Sequence, residues 1–223
     1  MPTWQCTAAC TDCGTFSHPR NKIRLSFSDM ISAIDGARDA GFELVVFTGG
    51  EATLRGRELL DAIRHAKKMG LATRLVTNAW WAKTTQSASA RMTEFQAAQL
   101  DEINFSTGDE HAKFVPVNSV MNAIVAAIDC KFKPHVMIEL RSNSTVTEAL
   151  LKDLAARALP AAKLDEVHFA ESPWMPLDFG EVADYPKSSY SNSSNLDSRS
   201  GCHSIFNTHT LQSNGMVAVC CGL

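Results

Sequence analysis

With 223 residues, 45% of them hydrophobic, the chain is long enough to bury one sizeable core and a small appendage. Its formal charge of −3 comes with no basic block, which argues on electrostatic grounds against a nucleic-acid partner, and no apolar run reaches the length of a membrane span. Seven cysteines behind a Met1-Pro2-Thr3-Trp4 start, which lacks the charged and apolar regions of an export signal, point to a reducing cytoplasm, where thiols serve as metal ligands or reactive groups.

The chain opens on Cys6, Cys10 and Cys13, spaced Cys-x3-Cys-x2-Cys. Phe27, Met30, Ile31 and Ile34 then mark one face of a first helix, with Ser26 or Ser28 as N-cap and Gly41 past its end. Glu43-Leu44-Val45-Val46-Phe47 reads as a buried strand running into Thr48-Gly49-Gly50-Glu51, a glycine turn that presents a carboxylate. Leu59, Leu60, Ile63 and Ala66 mark a second helix closed by Gly70, and Leu75 to Ala79 the next strand. Met92, Phe95 and Leu100 suggest a third helix; Ile103 to Ser106 follow as a strand. Val120, Met121, Ile124 and Ile128 mark a fourth helix, with Asn118 or Ser119 available as cap and Cys130 near its end as a buried small apolar residue. Val136 to Leu140 form a strand, Leu150, Leu151, Leu154, Ala155 and Ala158 a fifth helix stopped by Pro160, and Val167 to Ala170 a last strand.

Strands alternating with such helices imply βαβ units and a parallel sheet. About six strands and five helices fit an α/β fold of the partial (β/α)6 barrel kind, with a flat doubly wound sheet as the runner-up. In a barrel, Ile103, Phe105, Val136, Ile138, Leu140, Val167 and Phe169 face the helices. Glu102, Asn104, Ser106, His135, Met137, Glu139, Arg141, His168 and Ala170 then face inward, and so polar an interior needs a ligand or partners of its own. The domain reading is a barrel over 1–171, a Ser/Pro-rich linker over 172–201 and a cysteine-containing extension over 202–223. Trp174 in the linker pins a loop to the core or forms a substrate platform.

A cubane [4Fe–4S] cluster has four irons, usually held by Cys thiolates. Three thiolates leave one iron open to a small molecule. Zinc held by the same thiols and His18 is the alternative ligand set.

The three-cysteine loop followed by Gly49-Gly50-Glu51 resembles the radical S-adenosylmethionine (SAM) superfamily. Thr77-Asn78-Ala79 is similar to that family's Thr-Asn-Gly strand end, and Ser106-Thr107-Gly108-Asp109-Glu110-His111 to a pattern of its peptide-modifying members. The likeness spans roughly residues 4–171. Three positions depart from the family pattern: Asp12 for an aromatic residue, Ala52 for a proline and Ala79 for a glycine.

The resemblance implies that Cys6, Cys10 and Cys13 hold a [4Fe–4S] cluster whose open iron is chelated by SAM. Reductive cleavage of SAM then gives methionine and a 5′-deoxyadenosyl radical, the cofactor rather than the protein making and breaking bonds. Gly49, Gly50 and Glu51 are implied to hold the SAM amino group, Asn78 and Ser106 its carboxylate or ribose, and Arg141 to neutralise the carboxylate. Asp109, His111, Glu139 and His168 are candidates for contacting substrate. An electron donor of the flavodoxin or ferredoxin type is the implied partner.

Cys202 and the run Gly215-Met216-Val217-Ala218-Val219-Cys220-Cys221 resemble the opening of the SPASM/twitch extension of peptide-modifying members. This implies Cys202 and Cys220 as ligands of an auxiliary [4Fe–4S] cluster, with Cys221 unassigned, in a truncated or degenerate extension. The expected function is a radical SAM enzyme that abstracts hydrogen from a peptide or protein. A radical SAM enzyme acting on a small molecule or activating a glycyl-radical enzyme, and a non-catalytic iron–sulfur or zinc scaffold, are the alternatives.

Overall fold

The structure is a computed structural model, and residues 1–11, 13–15, 17–173 and 207–219 are described. Helix α1 (Phe27–Asp39) starts where Ser26 and Asp29 cap each other: the Ser26 hydroxyl accepts from the Asp29 amide at 3.1 Å, and the Asp29 carboxylate accepts from the Ser26 amide at 3.2 Å. It is followed by β1 (Leu44–Phe47), a 3₁₀ turn (Ala52–Arg55), α2 (Arg57–Lys68) and β2 (Ala72–Thr77). Next come α3 (Thr85–Ala97), capped by Thr84, then β3 (Glu102–Thr107), α4 (Asp109–Ala112) and α5 (Val117–Asp129). The rest is β4 (His135–Leu140), α6 (Glu148–Ala158), α7 (Ala161–Leu164), β5 (His168–Pro173) and a hairpin of β6 (Thr210–Leu211) and β7 (Val217–Ala218). Helix α5 starts on Pro116 with no side-chain cap, not on Asn118 or Ser119: proline's fixed φ already suits a helix start, and Ser119 is buried one turn inside. Cys130 is the C-cap of α5 and half-buried rather than fully buried.

The fold is α/β, with β1 to β5 forming one parallel sheet in the order β1-β2-β3-β4-β5. Chain order equals spatial order at every step. A doubly wound sheet reverses its order at a switch point, so the runner-up topology is set aside. With right-handed crossovers, an unreversed order puts all the helices on one face of the sheet. The burial pattern agrees. Ile103, Phe105, Val136 and Ile138 are buried with Leu59, Ile63, Phe95 and Ile124 in a continuous core under the helices. On the opposite face Met137 is exposed and His135 meets His168 with ring centroids 4.8 Å apart and the rings tilted by 56°. Burying one such aromatic or aliphatic side chain contributes about 1.5–3 kcal/mol, so the helix-covered face carries most of the stability.

Among the described residues β1 and β5 each pair on one side only, and the sheet is not closed. About six strands are expected; among the described residues the parallel sheet has five, and the start of the chain does not join it. Residues 3–5 make only isolated bridges, Thr3 with Arg24 and Gln5 with His18. Their other partners lie in the turn beyond β1: the Gly50 amide donates to Thr3 O at 2.9 Å and the Glu51 amide to Gln5 O at 2.8 Å. A turn offers two amides where a strand would offer a ladder, so pairing stops there.

The linker over 172–201 falls outside the described residues from 174 onward, as do Trp174, Cys202, Cys220 and Cys221. The hairpin at 210–218 docks on the chain start: the Met1 amine donates to Leu211 O at 2.7 Å and the Ser213 hydroxyl to Met1 O at 2.9 Å. Among the described residues no helix is long and apolar enough to cross a membrane.

Candidate cofactor site at the strand ends

The loop over residues 1–25 carries Cys6, Cys10 and Cys13, all free and half-buried. It buries little apolar surface, so polar ties must hold it. Arg55, itself buried, donates from Nη1 to Pro2 O at 2.9 Å and to Leu25 O at 2.7 Å, clamping both ends of the loop. Gly50 lies so close beneath the loop that a Cβ there would sit 2.2 Å from Gln5 O, a distance no side chain tolerates. The glycine turn therefore does have a steric reason to be glycine, and that reason is the cysteine loop.

Each cysteine is also tied through its neighbours. The Cys6 sulfur accepts from the Ala8 amide at 3.4 Å and from Asn78 Nδ2 at 3.7 Å. Asn78 Nδ2 donates to Thr7 Oγ1 at 3.0 Å. The Cys13 thiol meets Thr15 Oγ1 at 3.4 Å, and Thr15 donates to Gly49 O at the same distance. Thr11, beside Cys10, donates from its amide and hydroxyl to Glu110 Oε2 at 3.4 and 3.1 Å.

Two buried carboxylates flank the loop. Glu51 is fully buried, and its oxygens accept from the Thr53 amide (3.1 Å), the Thr53 hydroxyl (2.6 Å), the Thr77 hydroxyl (2.9 Å) and the Asn78 amide (2.9 Å). Burial pushes its pKa up, against the pull of those donors. Its side chain is thus a brace between the ends of β1 and β2, held by four protein donors. Glu139 is 3% exposed and accepts from Arg141 Nε at 2.6 Å and the Glu110 amide at 3.2 Å, with His111 Nδ1 at 3.8 Å. Burial pushes Glu139 up, but the His111 and Arg141 side chains beside it outweigh that and hold the group below the usual glutamate value. Gly108 lets this corner close: a Cβ there would fall 2.3 Å from Glu139 Cβ.

The remaining expected residues fall as follows. Asp109 accepts from the Thr145 amide and hydroxyl and from the Val146 amide, which makes it the cap of the loop after β4. Ser106 is buried on β3 opposite Met137. His168 stands one row further down the sheet, on His135. The fold therefore brings Asn78, Glu110, His111, Glu139 and Arg141 to the cysteine loop, and leaves Asp109 and His168 away from it. Ala79, at the family's glycine position, sits at a left-handed φ of 60° and is buried, a strained state for a residue with a Cβ. Thr7, Thr11, Thr15, Arg55 and Glu110 escaped the sequence reading. The signal was there for three of them, since a threonine lies within two residues of each cysteine.

The donor set suits a cationic metal group. Burial, then the charges of Glu51 and Cys13, push the Cys6 thiol up to about 11 against the Ala8 amide's pull. Cys10 is pushed up too, by burial first and then by Cys13, Cys6, Glu139 and Glu110. The charge of each neighbouring thiolate adds to the cost of ionising the next, a cost a bound cation would offset. The fit lies in the ligand chemistry and the cradle rather than in a finished coordination shell: among the described residues no group of three or more His, Cys, Asp or Glu side chains is arranged to hold a metal ion. A cleft of about 390 Å³ opens beside Cys6, lined by Trp80, Phe114, Val115, Pro116 and Lys83.

No protein-family model matches the chain, and no curated protein is similar to it. Among solved structures, a beta-arabinopyranosidase is 14% identical, with a TM-score of 0.36 over 51% of this chain and 20% of its own. A likeness of that size carries no argument about this chain.

Proposed function

We propose that the chain is a radical SAM enzyme acting on a peptide or protein, built on a partial (β/α)6 barrel. One observation carries the reading: three thiols stand on a loop that is held against the Gly49-Gly50-Glu51 turn by backbone hydrogen bonds and by a contact only glycine allows. Two motifs far apart in sequence thus meet at the strand ends, where loops of parallel α/β folds gather ligands. The singly wound strand order supports the barrel, since barrels advance around the sheet without reversing.

Cys6, Cys10 and Cys13 are the residues that would hold a [4Fe–4S] cluster. When bound, that cluster with SAM supplies one-electron reductive cleavage of a sulfonium and so the means to abstract hydrogen from carbon. The chain's own residues do the rest. Glu51 braces β1 to β2 so that Gly50 presents a flat backbone to the loop. Asn78 donates toward the Cys6 sulfur, a contact that favours thiolate. Arg141, with Lys113, offsets the carboxylates of Glu139 and Glu110 beside Cys10. The cleft beside Cys6 offers apolar walls and one lysine to a side chain of substrate. Cys202 and Cys220 remain the proposed ligands of an auxiliary cluster, and a flavodoxin- or ferredoxin-like protein the proposed donor.

The test is product analysis. Anaerobically reconstituted protein given SAM and dithionite is expected to form 5′-deoxyadenosine, and Cys13→Ala to form none. Iron-loaded protein that yields no 5′-deoxyadenosine above the Cys13→Ala background would sink the reading.

A further inference from the structure

Thr11 is exposed and lies next to Cys10, yet it does not hang free. Its amide and hydroxyl both donate to Glu110 Oε2. Glu110 is only 5% exposed, though it carries a charge and sits in the short helix α4 that follows β3. Its other oxygen pairs with Lys113 and stands 3.8 Å from Arg141 Nη2, and its amide donates to Glu139. A buried carboxylate is retained at low cost only when its charge and lone pairs are met, and here the loop supplies the partners for one oxygen and two cations meet the other. Cys6 and Cys13, by contrast, are tied through Asn78 and Gly49, on the β1 and β2 side.

We propose that Glu110 is the positioning residue of the cysteine loop, a latch that holds Cys10 at the ends of β3 and β4 through Thr11. Lys113 and Arg141 keep the latch charged and aimed. The loop is thereby held on both sides, by Asn78 and Gly49 at one wall and by Glu110 at the other. The inference builds on the function above only in taking Cys10 as a ligand; the holding itself belongs to the protein alone.

The experiment is competitive alkylation of the full-length, reduced protein with iodoacetamide, read by mass spectrometry as the rate at Cys10 relative to Cys130. Glu110→Ala is expected to raise that ratio about tenfold, the size of a lost charged hydrogen bond. Thr11→Val is expected to raise it less, since the Thr11 amide still donates. Glu110→Gln separates position from charge: it keeps an acceptor for Thr11, so the latch requires a ratio between wild type and Ala, whereas a simple loss of negative charge near Cys10 would make Gln match Ala. Double substitution of Glu110→Ala with Thr11→Val is expected to add nothing to the first. An unchanged ratio in Glu110→Ala, an equal rise at Cys130, or Gln matching Ala overturns the proposal. If Glu110→Ala does not fold, Thr11→Val decides, and an unchanged ratio there overturns it. Wild-type protein that takes up no iron would end the cluster reading and leave this ratio to be judged by itself.

Discussion

The cysteine loop lies between two walls of opposite character. At the ends of β1 and β2, Glu51 is surrounded by neutral donors: two hydroxyls and two amides. At the ends of β3 and β4, Glu110 and Glu139 sit among Arg141, Lys113 and His111. The first wall is fixed by shape and short-range donors, so it tolerates no change of size. The second is fixed by charge, so its carboxylates are held ionised by cations, with Gly108 closing the corner beside Glu139. Both rest on the same helix-covered sheet.

The largest effect should come from the shape-fixed wall. Gly50→Ala puts a Cβ 2.2 Å from Gln5 O, where only backbone can yield. We expect a cost of about 3 kcal/mol, read by urea unfolding, together with near-complete loss of iron uptake. Full iron uptake with an unchanged unfolding midpoint would show that the turn does not bear on the loop.

Next in size, Glu51→Gln leaves donors facing an amide that is itself a donor, at about 1–3 kcal/mol. Its pH signature has the opposite sign to that of Glu139. Glu51 is raised in the fold, so the folded state binds its proton more tightly than the unfolded chain does. Its contribution is fully present below the unfolded value of about 4.5 and is lost as pH climbs toward its folded value. Glu139 is lowered, so its contribution is present above the same unfolded value and is lost as pH falls below it. Unfolding midpoints measured across pH should therefore show Glu139→Gln flattening the acid-side loss and Glu51→Gln removing a decline on the side above 4.5. Identical pH profiles for the two variants would erase the distinction between the walls.

The smallest effect is expected at Lys113→Met. The lysine side chain is 57% exposed, and solvent-screened pairs contribute about 0–1 kcal/mol. A shift in the unfolding midpoint larger than that would mean the charged wall is as rigid as the neutral one.

Much of the scaffold could be read from the chain. Periodic apolar positions gave α1, α2, α5 and α6, and the burial of Ile103, Phe105, Val136 and Ile138 beneath helices followed from strand alternation. The Ser26 cap and the ends at Gly41 and Gly70 were visible because capping is a local matter. What stayed hidden depended on contacts far apart in sequence. Residues 3–5 meet the turn beyond β1, and no local pattern announces that. Glu110 lies between Asp109 and His111, both singled out, and its carboxylate accepts from Thr11 on the loop, because the turn of α4 aims it there. Glu51 was recognised by its motif and given a ligand to hold. The four donors around it come from Thr53, Thr77 and Asn78, and only the folded chain brings them together.

If the three thiols held by the glycine turn are the ligands of an iron–sulfur cluster, metal content decides it. After anaerobic reconstitution with iron and sulfide, residues 1–223 should carry about four irons and four sulfides at the first site, and Cys6→Ala, Cys10→Ala and Cys13→Ala should each lose them. Protein that binds one zinc and no sulfide, or keeps its full iron content when all three cysteines are replaced, would contradict the account.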